Sequence, residues 1–589
     1  MKKFTLLMAA LLVAVVTMAV PMAGTYMIGT GQVAPNYATL SAAVADINTN
    51  GVGGDIELQI TSDITEAANI GLAVNTNGFG ITIRPDADVD RTITFTQLGD
   101  NSSPSGHFVI GYTSLSTAWS DANTIATSNV TIDGYAVGGT TKRLKFVNLN
   151  AAEINARILV VVGACHNTVI KNCIVINNTT NTGSPVCIVA IVRKGTAIEV
   201  APTNLTIDNN TLTATVSGVG MGMRITNSGT LVAIPKISGF VFKNNIVTAS
   251  RRLIELSYLD GITEVNNNTF NLLQSTAPGA LVYGVYGNLN LLGTVNLYNN
   301  KFNQSTVVET AASGAFGIRL VQLASGPTAW NVYNNTFTGM NRTQTTGAAT
   351  LNLSYIQVSF GVANIYNNSF YLPALTSPSS AGYYNAINNS NGQSQKIVNN
   401  IFVSNEPTAV HAFVSNVCTG ESNCNVYYIR QTNANAKIVS AYATLNDYQT
   451  ANVTMDVKSK NVDINFIDAA NGDLRITGAS IQDDNISVDR LASVLTDMFG
   501  TTRGSKTYAG AHEGTAYLVS SVKDVELTSR IMRTSTGIQV ELDSEALIEL
   551  FSVNGIMIEK KTVSGTYSHE LNNGIYIIRI NGKATKFIK

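Results

Sequence analysis

Charge is scarce in this 589-residue chain. Asp, Glu, Lys and Arg make up 13% of it and cancel to a net charge of −1, about half the share of charge in an ordinary soluble domain. That balance gives no electrostatic reason to expect nucleic acid or an anionic membrane surface as partner. Cysteine and histidine are few, five of each, and no Cys-x-x-Cys occurs, so a zinc site is not expected. Beyond the first two dozen residues no segment has the roughly 20 apolar residues that a bilayer span takes. Disorder is excluded too, because 45% of the chain is apolar.

The one long apolar run is at the start. Lys2 and Lys3 precede Phe4–Val20, and Ala19, Ala23 and Gly24 supply small residues. This is the layout of a cleaved export signal over residues 1–24. In an oxidising compartment Cys418 and Cys424, which bound the stretch CTGESNC, are spaced to close a hairpin. Cys165, Cys173 and Cys187 read as small buried apolar side chains, and the pairing among the five stays open.

What the sequence has in abundance is the pair Asn-Asn. It returns in IDNNTL, FKNNIV, VNNNTF, LYNNKF, VYNNTF, IYNNSF and VNNIF, with the second Asn at Asn210, Asn245, Asn268, Asn300, Asn335, Asn368 and Asn400. The gaps of 35, 23, 32, 35, 33 and 32 residues are those of a solenoid or propeller. VIKNCIV is a degraded earlier copy with Cys173 in the second place. Apolar residues alternate before each pair, as Val295 and Leu297 do, and a Phe, Leu or Val follows two residues on. Period two means strand, so the unit is strand, two-residue corner, strand. Asn tolerates the left-handed backbone that a tight corner needs. Stacked about 4.8 Å apart, Asn amides can bond up and down as a ladder. Phe270, Phe302, Phe337, Phe370 and Phe402 are expected to stack inside in the same way.

With these corners the chain resembles the right-handed parallel β-helix, or pectate-lyase-like, superfamily over roughly Gly51 to Glu513. The expected fold is all-β: a parallel β-helix over residues 25–515 with an N-terminal cap. The stretch Gly24–Ile60 is similar to the cap of secreted β-helix proteins of the Bacteroidota. Leu40, Val44 and Ile47 share one helix face there, and Gly51 can stop the helix. NGDLRITGAS and TDMFGTTRGSKTYAGAHE resemble the closing segment of the same proteins.

From about Val525 the Asn pairs stop and short alternating strands take over, a small Ig-like β-sandwich over 525–589 after a linker at 516–524. The ending resembles the C-terminal sorting domain of the type IX secretion system, with Gly574, Tyr576, Arg579, Lys586 and Lys589 where that family has them. The resemblance implies passage through the type IX translocon and removal of the domain by a sortase-like peptidase. Release, or attachment to surface lipopolysaccharide, would follow.

The fold that the chain resembles hosts lyases, hydrolases and many non-enzymes, so fold alone does not decide activity. The strands that would line its groove are near IVRKG, GMRIT, RRLIEL, GIRLVQ and SYIQVS. They carry Arg193, Lys194, Arg224, Arg251, Arg252 and Arg319, of which Arg193, Arg224, Arg252 and Arg319 are the candidates for a basic stripe against an extended acidic glycan, and one carboxylate, Glu255. Hydrolases need paired carboxylates, and lyases need a base, usually with calcium; neither set is evident. Asp86, Asp88 and Asp90 alternate in DADVD but lack the turn glycine of a calcium loop, so no cofactor is expected, with calcium as the alternative. The favoured reading is a non-enzymatic, adhesin-like or glycan-binding solenoid. The competing one is a polysaccharide lyase acting on an acidic glycan.

Overall fold

The computed structural model describes residues 20–514 and 530–589, except for 98–105, 113–124, 151–155, 180–184, 195–198, 216–218, 229–234, 274–280, 289, 310–315, 324–328, 345–350, 360, 377–381, 390–394 and 543. The signal at 1–24 lies mostly, and the linker at 516–524 wholly, outside the described residues. Two compact units divide the chain, up to Tyr517 and from Leu518 onward.

The first unit is a parallel β-helix. Three sheets, each of 13 strands among the described residues, run along it, and every coil after the first contributes to all three. One coil reads Thr294–Tyr298 on the first sheet, Asn299–Asn300 at the corner, Lys301–Glu309 on the second and Phe316–Leu323 on the third. The next coil starts at Ala329–Tyr333 directly beside the first, with Val295 opposite Trp330 and Leu297 opposite Val332. These four side chains point inward and are fully buried. The alternation seen in the sequence is thus the in-and-out pleat of each strand.

The two asparagines of each pair divide the corner between them. The first takes the left-handed conformation, with φ between +47° and +60° at Asn209, Asn244, Asn267, Asn299, Asn334, Asn367 and Asn399. The second turns inward and builds the ladder. Each Oδ1 from Asn245 to Asn400 accepts from the backbone N–H of the Asn one coil earlier at 2.8–3.0 Å. It also accepts from that residue's Nδ2 at 2.9–3.2 Å. The file opens on Cys173, whose N–H reaches Asn210, and runs one coil past Asn400 to Asn425. Asn425 Nδ2 then donates to Asp456, a buried carboxylate that also accepts from Ser422, Ser459 and Tyr427 and closes the stack. Inside, Phe270, Phe302, Phe337, Phe370 and Phe402 stack with ring centroids 4.7–5.0 Å apart.

Each end of the solenoid carries a short helix. Leu40–Asn50 replaces the second and third strands of the first coil, is capped by Thr39 and buries Leu40, Ala43, Val44 and Ile47. At the other end Leu445–Ala451, capped by Thr444, buries Leu445 and Tyr448.

The coils do not continue to Glu513. They end at Ala436–Val439, and residues 466–514 run back along the outside as a strap on the second sheet. Leu474, Ile476, Ile486 and Tyr508 of the strap cluster with Tyr371, Ile401, Val403 and Val426, which face outward from the last coils. The expected continuous solenoid fails here because those strands are apolar on both faces and need a cover. Arg503, fully buried, is the rivet. It donates to Glu513, Thr507, Gly510 and Tyr508 within the strap and to Asn334 Oδ1 at the corner.

All five cysteines are free. The expected Cys418–Cys424 bridge is not formed because the two side chains serve different cores. Cys418 belongs to the interior, whereas Cys424 takes the left-handed corner position (φ +57°) and packs under the strap. Cys165, Cys173 and Cys187 are fully buried, and burial pushes the Cys165 and Cys187 thiols up to about 12.

The second unit packs a three-stranded and a four-stranded antiparallel sheet over a shared core of Ile538, Val540, Ile548, Leu550, Tyr567, Ile578 and Ile580. Tyr576 stacks on Phe587, Arg579 binds Glu549 at 3.2 Å, and the Lys586 strand pairs with that of Ile577. Gly574 and Lys589 exchange backbone hydrogen bonds, and Lys589 Nζ donates to the Leu571 carbonyl.

Candidate functional site

The strands singled out in the sequence do stack on one sheet, the third. Met221–Ser228 pairs with Arg252–Leu256, which pairs with Leu281–Gly287, then Phe316–Leu323 and Leu351–Val358. Register divides the arginines between two outward files. Arg252, Tyr283 and Arg319 stand in one, and Arg224, Glu255 and Tyr286 in the next. Arg193 lies on the strand Val186–Lys194, but its side chain is outside the described residues.

Glu255 is the hub. Its side chain is 3% exposed, 2.5 Å from Arg252 and 3.3 Å from Arg224, and its other oxygen accepts from Asn288. Arg252 lies 4.7 Å from the ring centre of Tyr286 and 5.8 Å from that of Tyr283. Arg251 and Arg157 complete the group. Burial, with Arg224 nearby, lowers the Arg157 guanidinium to about 10, and burial also lowers Arg251. Four guanidiniums therefore gather beside one carboxylate, which pairs directly with two of them. Buried nitrogens on Arg157, Arg251 and Arg252 have no hydrogen-bond partner. A desolvated, under-neutralised cluster of forked donors is complementary to carboxylate or sulfate oxygens.

Downstream on the same face lies a hollow of 560 Å³ with Arg319 at one end and Lys437 at the other. Gln357, Asn385, Asn388, Ser415 and Asn416 line it between them. Amides and hydroxyls in this density suit the hydroxyls of a sugar chain. From Arg157 to Lys437 the face spans ten stacked strands, about 43 Å at the strand spacing. His411 also borders the hollow. It is 1% exposed, and burial lowers its pKa. A histidine whose folded pKa is depressed stabilises the protein fully above the unfolded value, near 6.5, and loses that contribution as the pH falls below it. Melting temperature should therefore drop between about pH 6.5 and 5, and the drop should be smaller in His411→Gln.

Among the residues of this face whose side chains are described, Glu255 is the one carboxylate, and it is held by two arginines. Asp86, Asp88 and Asp90 lie elsewhere, paired with Arg91, Arg143 and Lys145. Their alternation sets all three against basic side chains. Sequence reasoning missed Arg157, Tyr283 and Tyr286. Their strands, RILVVV and LVYGVYG, read as apolar core, and only the stacking order inserts them into the arginine face.

No family model matches the chain, and no curated protein does. Among solved structures it is similar to the Streptococcus pneumoniae surface protein and adhesin PfbA, at 13% identity over 68% of this chain and 93% of that one, with a TM-score of 0.35. It is similar to the pectin methylesterase of Aspergillus niger at 11% identity over 74% and 99%, with a TM-score of 0.20. XylC in complex with xylose matches at 8% identity over 84% and 99%, with a TM-score of 0.35. These likenesses say nothing about activity; the parallel β-helix is read from the chain's own strand pairing.

Proposed function

We propose that this chain is an exported, surface-displayed or secreted solenoid that binds an extended acidic glycan along its third sheet without cleaving it. The observation that carries the reading is the cluster of Arg157, Arg224, Arg251 and Arg252 with Glu255, which Tyr283 and Arg319 continue into the amide-lined hollow. Charges stacked at the strand spacing can follow a polyanion from unit to unit. The test is retention of the protein on polygalacturonate, alginate and chondroitin sulfate at low and high salt. Retention is expected at about 0.01 M ionic strength and release at about 1 M, where screening shortens from ~30 to ~3 Å. Arg224→Ala with Arg319→Ala should weaken retention at least about tenfold, ~1.4 kcal/mol. Salt-insensitive or absent retention would sink the reading.

A polysaccharide lyase is the second reading. What favours it is the buried place of Arg157 on this face beside Arg224, where burial lowers its guanidinium to about 10, so that it could accept a proton at alkaline pH. Release of unsaturated oligosaccharides that is lost on Arg157→Ala would decide for the lyase.

For the second unit we propose sorting by the type IX system, with the translocon, a sortase-like peptidase and surface lipopolysaccharide as partners. Its supports are the separate sandwich core and the tied-down ending at Gly574 and Lys589. Deletion of residues 525–589 should leave the protein in the periplasm. Normal appearance at the cell surface after that deletion would refute the role.

A further inference from the structure

A second groove lies on the second sheet, beside the strap. Two adjoining hollows of 340 and 530 Å³ share Asn303 and Asn471. Each is within the size range of small-ligand sites, about 300–1,000 Å³. Asn303 sits at a register shift. Phe270 pairs with Phe302 and Asn271 with Gln304, so Asn303 is the extra residue of a bulge. Bulges re-aim a side chain out of the ladder. Its Oδ1 is buried with no hydrogen-bond partner, a costly state for an acceptor.

The strap supplies the opposite wall. Gly472, at φ +89°, brings backbone so close that a Cβ there would lie 3.3 Å from Asn303 Oδ1. Beyond it Phe499 is 48% exposed, with Lys301 Nζ 5.2 Å and Arg475 Cζ 5.9 Å from its ring centre. Arg475 is already committed to Asp473 through both carboxylate oxygens. The groove therefore offers amides, an exposed ring and little net charge, unlike the arginine face on the third sheet.

We infer that this groove is a separate site for a short, hydroxyl-rich saccharide. A sugar hydroxyl donates to the orphaned Asn303 Oδ1, the amides of Asn271 and Asn471 flank it, and the C–H face of a pyranose rests against Phe499. Amide groups match neighbouring hydroxyls as paired donors and acceptors, and an aromatic edge covers the apolar face of the ring. A phosphate would find a single lysine, Lys301, and no free guanidinium fork, because Arg475 is paired with Asp473.

The test is saturation-transfer NMR on the whole mature chain with xylotriose, cellotriose and chitotriose as probes. Transfer to at least one probe is expected. It should fall about fivefold or more in Phe499→Ala and in Asn303→Leu, the loss of one good contact. It should persist in Arg224→Ala, and an unchanged melting temperature in Phe499→Ala separates lost binding from lost fold. No transfer to any probe overturns the inference. So does transfer that survives Phe499→Ala but is lost in Arg224→Ala. Failure of the third-sheet reading is registered separately, by absent retention on the polyanions.

Discussion

Replacing Arg503 with Leu should destabilise the first unit by about 3–5 kcal/mol, because it strands a buried carboxylate. Arg503 and Glu513 are both 0% exposed in their side chains and 3.0 Å apart. The guanidinium also donates to three strap carbonyls, of Thr496, Tyr508 and Gly510, and to Asn334 Oδ1. The carbonyls that it serves would lose their donor as well. Removing both charges, as Arg503→Leu with Glu513→Leu, should be milder than removing one, since no uncompensated charge remains. Denaturant titration gives the energy, and limited proteolysis gives the place: new cuts should appear between residues 466 and 514 while the coils stay intact. A single substitution that leaves both unchanged would mean that the strap is held by its apolar contacts alone.

The second large effect is expected in the ladder. Asn335→Ala removes the acceptor for Asn300, N–H and Nδ2 alike, and the donor to the Leu297 carbonyl. Each buried group left unsatisfied costs about 1–3 kcal/mol, so a loss of roughly 3 kcal/mol is expected. Its neighbour in chain order supplies the contrast. Asn299 holds φ +55° and its buried Oδ1 has no partner. Asn299→Gly should therefore stay within about 1 kcal/mol of wild type, because glycine enters that backbone region freely. Equal losses at the two positions, read from unfolding midpoints, would show that the corner depends on its backbone turn and not on the amide file.

The corners were legible because a two-residue signature recurs at one coil length, and because Asn alone suits both halves of the task. The ladder's last step was not legible: at Cys424–Asn425 the first position is filled by cysteine, and the pair disappears from view although the geometry persists. The strap was hidden for another reason. Its apolar residues are too dispersed to show a period. The hint lay in its partner strands, where FYL, IFVS and VYYI break the alternation and thereby announce a second covered face. The arginine face was half legible. Charge marks Arg224, Arg252 and Arg319 in the sequence, but which residues stand between them depends on register. A shift of one residue would turn each of them inward.

The strap has a mechanical consequence. It crosses the solenoid lengthwise, bonding to the corners at Asn334, Asn367 and Asn399 in three successive coils. Tension entering the chain after residue 514 reaches these anchor points before it reaches any coil. Coils pulled one at a time would open like a zipper, whereas a lengthwise tie loads many bonds together in shear. A protein tethered from its far end and tugged by whatever it holds would resist peeling from that end and should yield first at the coils upstream of Asn334.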